Sequence, residues 1–138
     1  MLAPLCGWVR CCDAGHVLLR CLIVDDSERF LEVARSSLDQ DGIEVVGTAM
    51  TSATALEQTG KLRPDVVLVD LGLGSENGLD LARKLVEDYP YLVSRVVIVS
   101  TQPEEDVSDL IRASAAVGFI SKRALSPMTV RRLVEQGA

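Results

Sequence analysis

The chain has 138 residues, enough for one compact domain and too few for two ordinary ones. Hydrophobic residues at 48% and charged residues at 25% exclude a disordered polymer, and no run approaches the ~20 apolar residues that a membrane-spanning helix needs. The formal net charge of -6 argues against a general nucleic-acid binder, because phosphate backbones attract basic surfaces.

The first sixteen residues, MLAPLCGWVRCCDAGH, carry Cys6, Cys11, Cys12, the only Trp (Trp8) and the only His (His16), without a clear period. Pro4, Gly7 and Arg10 interrupt the continuous apolar segment that a signal peptide would need. Cys6, Cys11, Cys12 and His16 are zinc-type ligands, but their spacing fits none of the usual zinc frameworks. Residues 1–18 are therefore expected to be a poorly ordered leader, and residues 19–138 the folded domain. Nothing reads as a disulfide scaffold, so a reducing cytoplasm is the expected compartment. Cys21 lies in an apolar run and reads as a small buried hydrophobe.

From Leu19 onward, short apolar runs alternate with segments of helical period. Leu22-Ile23-Val24 is a strand ending at Asp25-Asp26, and Ser27 to Gln40 is a helix with Phe30, Leu31, Ala34 and Leu38 on one face. Ile43 to Val46 is a second strand, followed by a short helix from Ser52 to Thr59. Asp65 to Asp70 (DVVLVD) is a third strand whose unbroken apolar run suits a parallel strand covered on both faces. A glycine-rich loop, Gly72 to Gly78, precedes a helix marked by Leu79, Ala82, Leu85 and Val86. Arg95 to Ser100 is the fourth strand, Pro103 to Ala115 a helix with acidic residues in its first turn, and Gly118 to Ser121 a short fifth strand. Ser126-Pro127 opens a last helix running to Gln136. Strict alternation of strand and helix predicts a single doubly wound α/β domain.

In such sheets ligands bind beyond the carboxyl ends of the strands, near the point where strand order reverses. Asp25 and Asp26 follow the first strand, Asp70 ends the third, Ser100 and Thr101 follow the fourth, and Lys122 follows the fifth. Taken singly, an Asp at a strand end is more often a cap or turn residue, and a lone Lys is usually solvated. Together at one sheet edge they form a chemical group. Three close carboxylates repel one another unless a cation intervenes, and Mg²⁺ accepts one or two carboxylates plus phosphate oxygens. Lys122 adds an ammonium, and Ser100 a hydroxyl donor, for the same oxygens. With those groups around it, one aspartate could act as a nucleophile toward phosphorus.

This constellation resembles the receiver domain of bacterial two-component response regulators, of the CheY-like superfamily. That family carries an acidic pair after strand one, a phospho-accepting Asp after strand three, Ser or Thr after strand four and Lys after strand five. Asp25-Asp26, Asp70, Ser100 and Lys122 match, at intervals of 44, 30 and 22 residues counted from Asp26. Gly78 matches the glycine opening helix three, and Phe119 the switch aromatic. The likeness runs from about Leu19 to Gln136, and the Lys122-Arg123 segment is closest to receivers of LuxR-like regulators.

The resemblance implies a flavodoxin-like (βα)5 fold with strand order 2-1-3-4-5. It implies that Asp70 accepts a phosphoryl group from a sensor histidine kinase or phosphotransfer protein. Mg²⁺, or Mn²⁺ in its place, would be held by Asp25, Asp26, Asp70 and the backbone carbonyl of Gly72. Ser100 and Lys122 would contact phosphate oxygens, Thr101 would govern access, and Phe119 would turn inward as Ser100 moves. Output would pass through the face of helix four, strand five and helix five, to an unknown downstream protein or a second copy in a homodimer. Catalysis would be limited to the domain's own Mg²⁺-dependent aspartyl phosphorylation and dephosphorylation, with no binding to nucleic acid or membrane by this chain.

Three positions depart from the family pattern. Gly74 stands where many receivers have Pro, Arg123 stands where many have Pro after the Lys, and Thr101 is larger than the usual Ala or Gly. None removes a reactive group. The alternatives are the receiver piece of a longer DNA-binding transcription regulator and an unphosphorylated pseudo-receiver. Dehalogenase-like phosphatases want Asp-x-Asp after strand one, and here the order is Asp25-Asp26-Ser27. A flavin phosphate would be repelled by Asp25, Asp26 and Glu28, and Gly72, Gly74 and Gly78 lack dinucleotide spacing.

Overall fold

The computed structural model describes residues 18–39 and 42–137. The leader expected at residues 1–18, with its candidate zinc ligands, lies outside the described residues except for Leu18.

Strand β1 (Leu19–Val24) is an inner strand, second from one edge, of a five-stranded parallel sheet. It pairs on one side with β2 (Ile43–Ala49) and on the other with β3 (Val66–Asp70), which pairs in turn with β4 (Val96–Ser100), and that with β5 (Gly118–Ser121). The order is β2-β1-β3-β4-β5, as the resemblance implied. The chain leaves β1 toward one edge, returns, and continues from β3 toward the other. A crevice therefore opens at the carboxyl ends of β1 and β3.

Side-chain alternation along the strands divides the core in two. Cys21, Ile23, Val66, Leu68, Val97 and Val99 face helices α1 (Glu28–Leu38) and α5 (Pro127–Gly137), meeting Leu31, Ala34, Leu38, Val130 and Val134. Leu22, Val24, Val67, Val69, Val96 and Ile98 face α2 (Ser52–Leu62), α3 (Gly78–Asp88) and α4 (Glu104–Arg112). Every residue of β3 and β4 is buried, which explains why both read as unbroken apolar runs. Each large aliphatic side chain so buried contributes on the order of 1.5–3 kcal/mol. Cys21 is fully buried within this core, and that burial pushes its thiol far up from its ordinary range, so it behaves as a hydrophobe.

Helix starts follow local chemistry. The Ser27 hydroxyl accepts from the Phe30 N–H, and the Thr51 hydroxyl accepts from the Thr54 N–H, each satisfying an orphan donor of the first turn. Several boundaries differ from expectation. Helix α2 continues through Gly60 to Leu62, where the sequence pattern faded at Thr59. Leu62 packs against Gly47 of β2, and the Tyr89 hydroxyl sits beside Gly60, so tertiary contacts carry the helix past its weakest residue. Helix α4 is shorter than expected, ending at Arg112, where the Ser114 hydroxyl donates to the Ile111 carbonyl. The glycine-rich loop is an ordered hairpin pairing Gly72-Leu73 with Glu76-Asn77. Short 3-10 turns at Pro90–Leu92 and Lys122–Ala124 had no clear sequence signal.

Candidate functional site

Val24 and Val69 are register partners, so the residues that follow them, Asp25 and Asp70, emerge side by side at the crevice. Asp70 pairs with Val99, and Ser100 pairs with Ser121, which brings Ser100 and Lys122 to the same edge. Parallel pairing thus gathers, at one place, residues spread over almost a hundred positions.

Asp25 is buried. Its Oδ1 accepts from the Ser27 N–H at 2.8 Å, and its Oδ2 lies 2.7 Å from the Lys122 ammonium. The ammonium also lies 3.6 Å from Asp70 Oδ1. Asp26 is exposed at the rim, and one carboxylate oxygen from each of Asp25, Asp26 and Asp70 falls within 4.8 Å of the others. Burial, and then the charge of Asp25, push the Asp70 carboxyl up from 3.8 to about 6, with Lys122 pulling it down and Asp26 adding to the rise.

The surroundings hold Asp70 closely. Gly78 begins α3 against the Asp70 carbonyl, where a Cβ would collide with backbone, and its N–H donates to the Leu71 carbonyl at 2.8 Å. Gly74 turns the hairpin at a φ of 60°, a left-handed conformation suited to glycine, beside Asp26 Oδ2. Gly72 is exposed two residues after Asp70 and is paired with Asn77. Ser100 is buried, and its hydroxyl accepts from the Gln102 N–H at 3.0 Å. Thr101 beside it is exposed. Phe119 is half-buried and packs on the core face of α3 and α4.

The carboxylate cluster fits a hard divalent cation. All donors are oxygens, and the buried Asp25 Oδ2 has no aligned hydrogen-bond donor, only the charge of Lys122. A cation would relieve the repulsion that raises the Asp70 carboxyl.

Two neighbours of the site escaped the sequence reading. The Phe30 ring centroid lies 4.2 Å from the Lys122 nitrogen, although periodicity marked Phe30 only as a core-face residue of α1. Glu76, in the hairpin, accepts from the Ser52 N–H at 2.9 Å and so ties the loop after Asp70 to the start of α2. Nothing in a single sequence pairs Phe30 with a lysine 92 positions later.

The family model described as the response regulator receiver domain matches residues 21–135. The response regulator GacA of Pseudomonas viridiflava is 32% identical over 108 residues, covering 78% of this chain and 50% of that protein. A protein-glutamate methylesterase/protein-glutamine glutaminase of Pyrococcus abyssi is 34% identical over 111 residues, covering 78% and 29% respectively. The chain thus spans half or less of the length of these relatives. Among solved structures, the response regulator domain of Thermotoga maritima CheB aligns with a TM-score of 0.68 at 30% identity, covering 86% of this chain and 90% of that one. A LuxR-family two-component response regulator from Aurantimonas aligns with a TM-score of 0.72 at 22% identity, covering 86% and 83%, a likeness of fold alone.

Proposed function

Because this chain belongs to the response regulator receiver domain family, we propose that it is a phosphoacceptor switch, taking a phosphoryl group onto Asp70 from a histidine kinase or phosphotransfer protein. The observation that carries this reading is the gathering of Asp25, Asp26 and Asp70, with the Lys122 ammonium against Asp25 and Asp70. Pseudo-receivers typically lack one of these groups, and here all are present.

In this reading an ionised Asp70 oxygen attacks phosphorus, the phosphorus–nitrogen bond to the donor histidine breaks, and the imidazole leaves with its electron pair. With its carboxyl raised only to about 6, Asp70 is largely ionised near neutral pH. Lys122 stands ready to meet a phosphoryl oxygen, since it already reaches toward Asp70. The Ser100 hydroxyl accepts from Gln102 and keeps its proton for a second oxygen. Asp25, Asp26, Asp70 and the Gly72 carbonyl would hold Mg²⁺, or Mn²⁺. When bound, the cation neutralises charge on the transferring group. Thr101 at the rim would narrow access, and the signal would leave through α4, β5 and α5 as Phe119 follows Ser100 inward.

Incubation with acetyl phosphate and Mg²⁺, followed by intact mass measurement, tests the reading. Phosphorylation of the natural chain, absent in Asp70→Asn and in excess chelator, is expected. A stable adduct on Asp70→Asn would overturn it. The described part has no helix long and apolar enough to cross a membrane. The chain spans half of GacA, which favours a second reading, in which this is the receiver piece of a longer response regulator, the DNA-binding kind being one expectation for the remainder.

A further inference from the structure

Lys122 has three N–H donors, and three groups of the described residues lie against its ammonium. Asp25 Oδ2 is at 2.7 Å, Asp70 Oδ1 at 3.6 Å, and the centroid of the Phe30 ring at 4.2 Å. Its side chain is only 17% exposed, so water reaches little of it. Phe30 is anchored independently of the lysine. It lies in the first turn of α1, four residues beyond Asp26, its N–H is capped by Ser27, and it packs against the core between α1 and α5.

The face of an aromatic ring carries negative potential, and it attracts a cation more strongly where water is scarce. A lysine stem has four flexible bonds, so an ammonium drawn by two carboxylates has no unique resting place. The ring restricts it. We propose that Phe30 is a positioning residue for phosphoryl transfer, its ring face holding the Lys122 ammonium where it spans Asp25 and Asp70. This rests on the phosphoacceptor reading of Asp70. A ring serving only to fill the core would be replaceable by any apolar side chain of similar bulk, whereas a ring that holds charge acts through its π-electrons.

Fluorination separates the two roles, because it drains the ring face of charge with little change of size. Position 30 would carry phenylalanine, then its mono-, di- and trifluoro analogues, alongside Phe30→Leu, in the full chain. The readouts are the rate of Asp70 phosphorylation by acetyl phosphate at saturating Mg²⁺, the melting temperature, and the ring-current shift of the Lys122 ε-methylene by NMR. The rate should fall stepwise with fluorination, by about three- to tenfold at the trifluoro ring. The ε-methylene shift should move in step while the melting temperature stays level, and Phe30→Leu should lose the shift altogether. A rate and a shift that stay flat across the fluorinated series would overturn the proposal. If the natural chain takes no phosphoryl group, the phosphoacceptor reading fails, and the ε-methylene series alone decides whether Phe30 holds the ammonium.

Discussion

Gly78 lies against the carbonyl of Asp70, and the first turn of α3 leaves no room for a Cβ between them. The contact links a helix start to the residue that would receive the phosphoryl group. Gly78→Ala should push the helix from the strand end at a cost of about 1–3 kcal/mol. Urea unfolding measures that loss, and phosphorylation of Asp70 should slow in the same variant. Unchanged stability would show that the backbone yields without strain.

The raised carboxyl of Asp70 sets a pH dependence. Its folded value, about 6, exceeds the unfolded value of 3.8, so the native state holds a proton that the unfolded chain releases. The stabilisation from this group is complete below about 4 and is lost as pH rises through about 6. In excess chelator at pH 7.5, Asp70→Asn should therefore melt higher than the natural chain. The gap should narrow as the buffer is taken toward pH 5. A gap that is reversed, or constant with pH, would contradict the assigned cause.

Lys122 is the cation facing the buried Asp25. Lys122→Met should leave that carboxylate uncompensated, costing about 3–5 kcal/mol in chelator. Asp25→Asn combined with Lys122→Met should recover much of the loss, because it removes the stranded charge. Thermal or urea unfolding of the two single variants and the double variant gives the coupling. Simple additivity would mean that the pair is not coupled.

The carboxylate cluster should bind Mg²⁺ and so stabilise the fold by linkage, about 2.7 kcal/mol at a hundredfold excess over the dissociation constant. Asp26→Asn should gain much less from the same titration. Equal shifts in melting temperature for both proteins would place the ion elsewhere.

Phe119→Ala should leave phosphorylation of Asp70 largely intact while weakening phosphorylation-dependent dimerisation or partner binding. Hydrogen exchange with and without beryllofluoride gives the check. Protection changes confined to the loop after Asp70, with none from Ser100 to Gln136, would exclude a relay through Ser100 and Phe119.

The alternation of apolar runs and helical segments was legible without coordinates, because parallel strands buried on both faces need unbroken apolar sequence. DVVLVD and RVVIVS could hardly be anything else. The polar residues ending those runs marked Asp25, Asp26, Asp70, Ser100 and Lys122 for the same reason: each apolar run stops where the chain leaves the core. Tertiary structure decided what distance does. Only the register of Val24 with Val69, and of Ser100 with Ser121, brings Lys122 between Asp25 and Asp70. Only packing carries α2 past Gly60, folds the glycine loop into a hairpin bound to Ser52 through Glu76, and lays Phe30 over Lys122. Periodicity reports which face of an element is buried, since that depends on neighbours one turn away. Which side chain meets it there depends on strand order and register, which a local pattern does not contain.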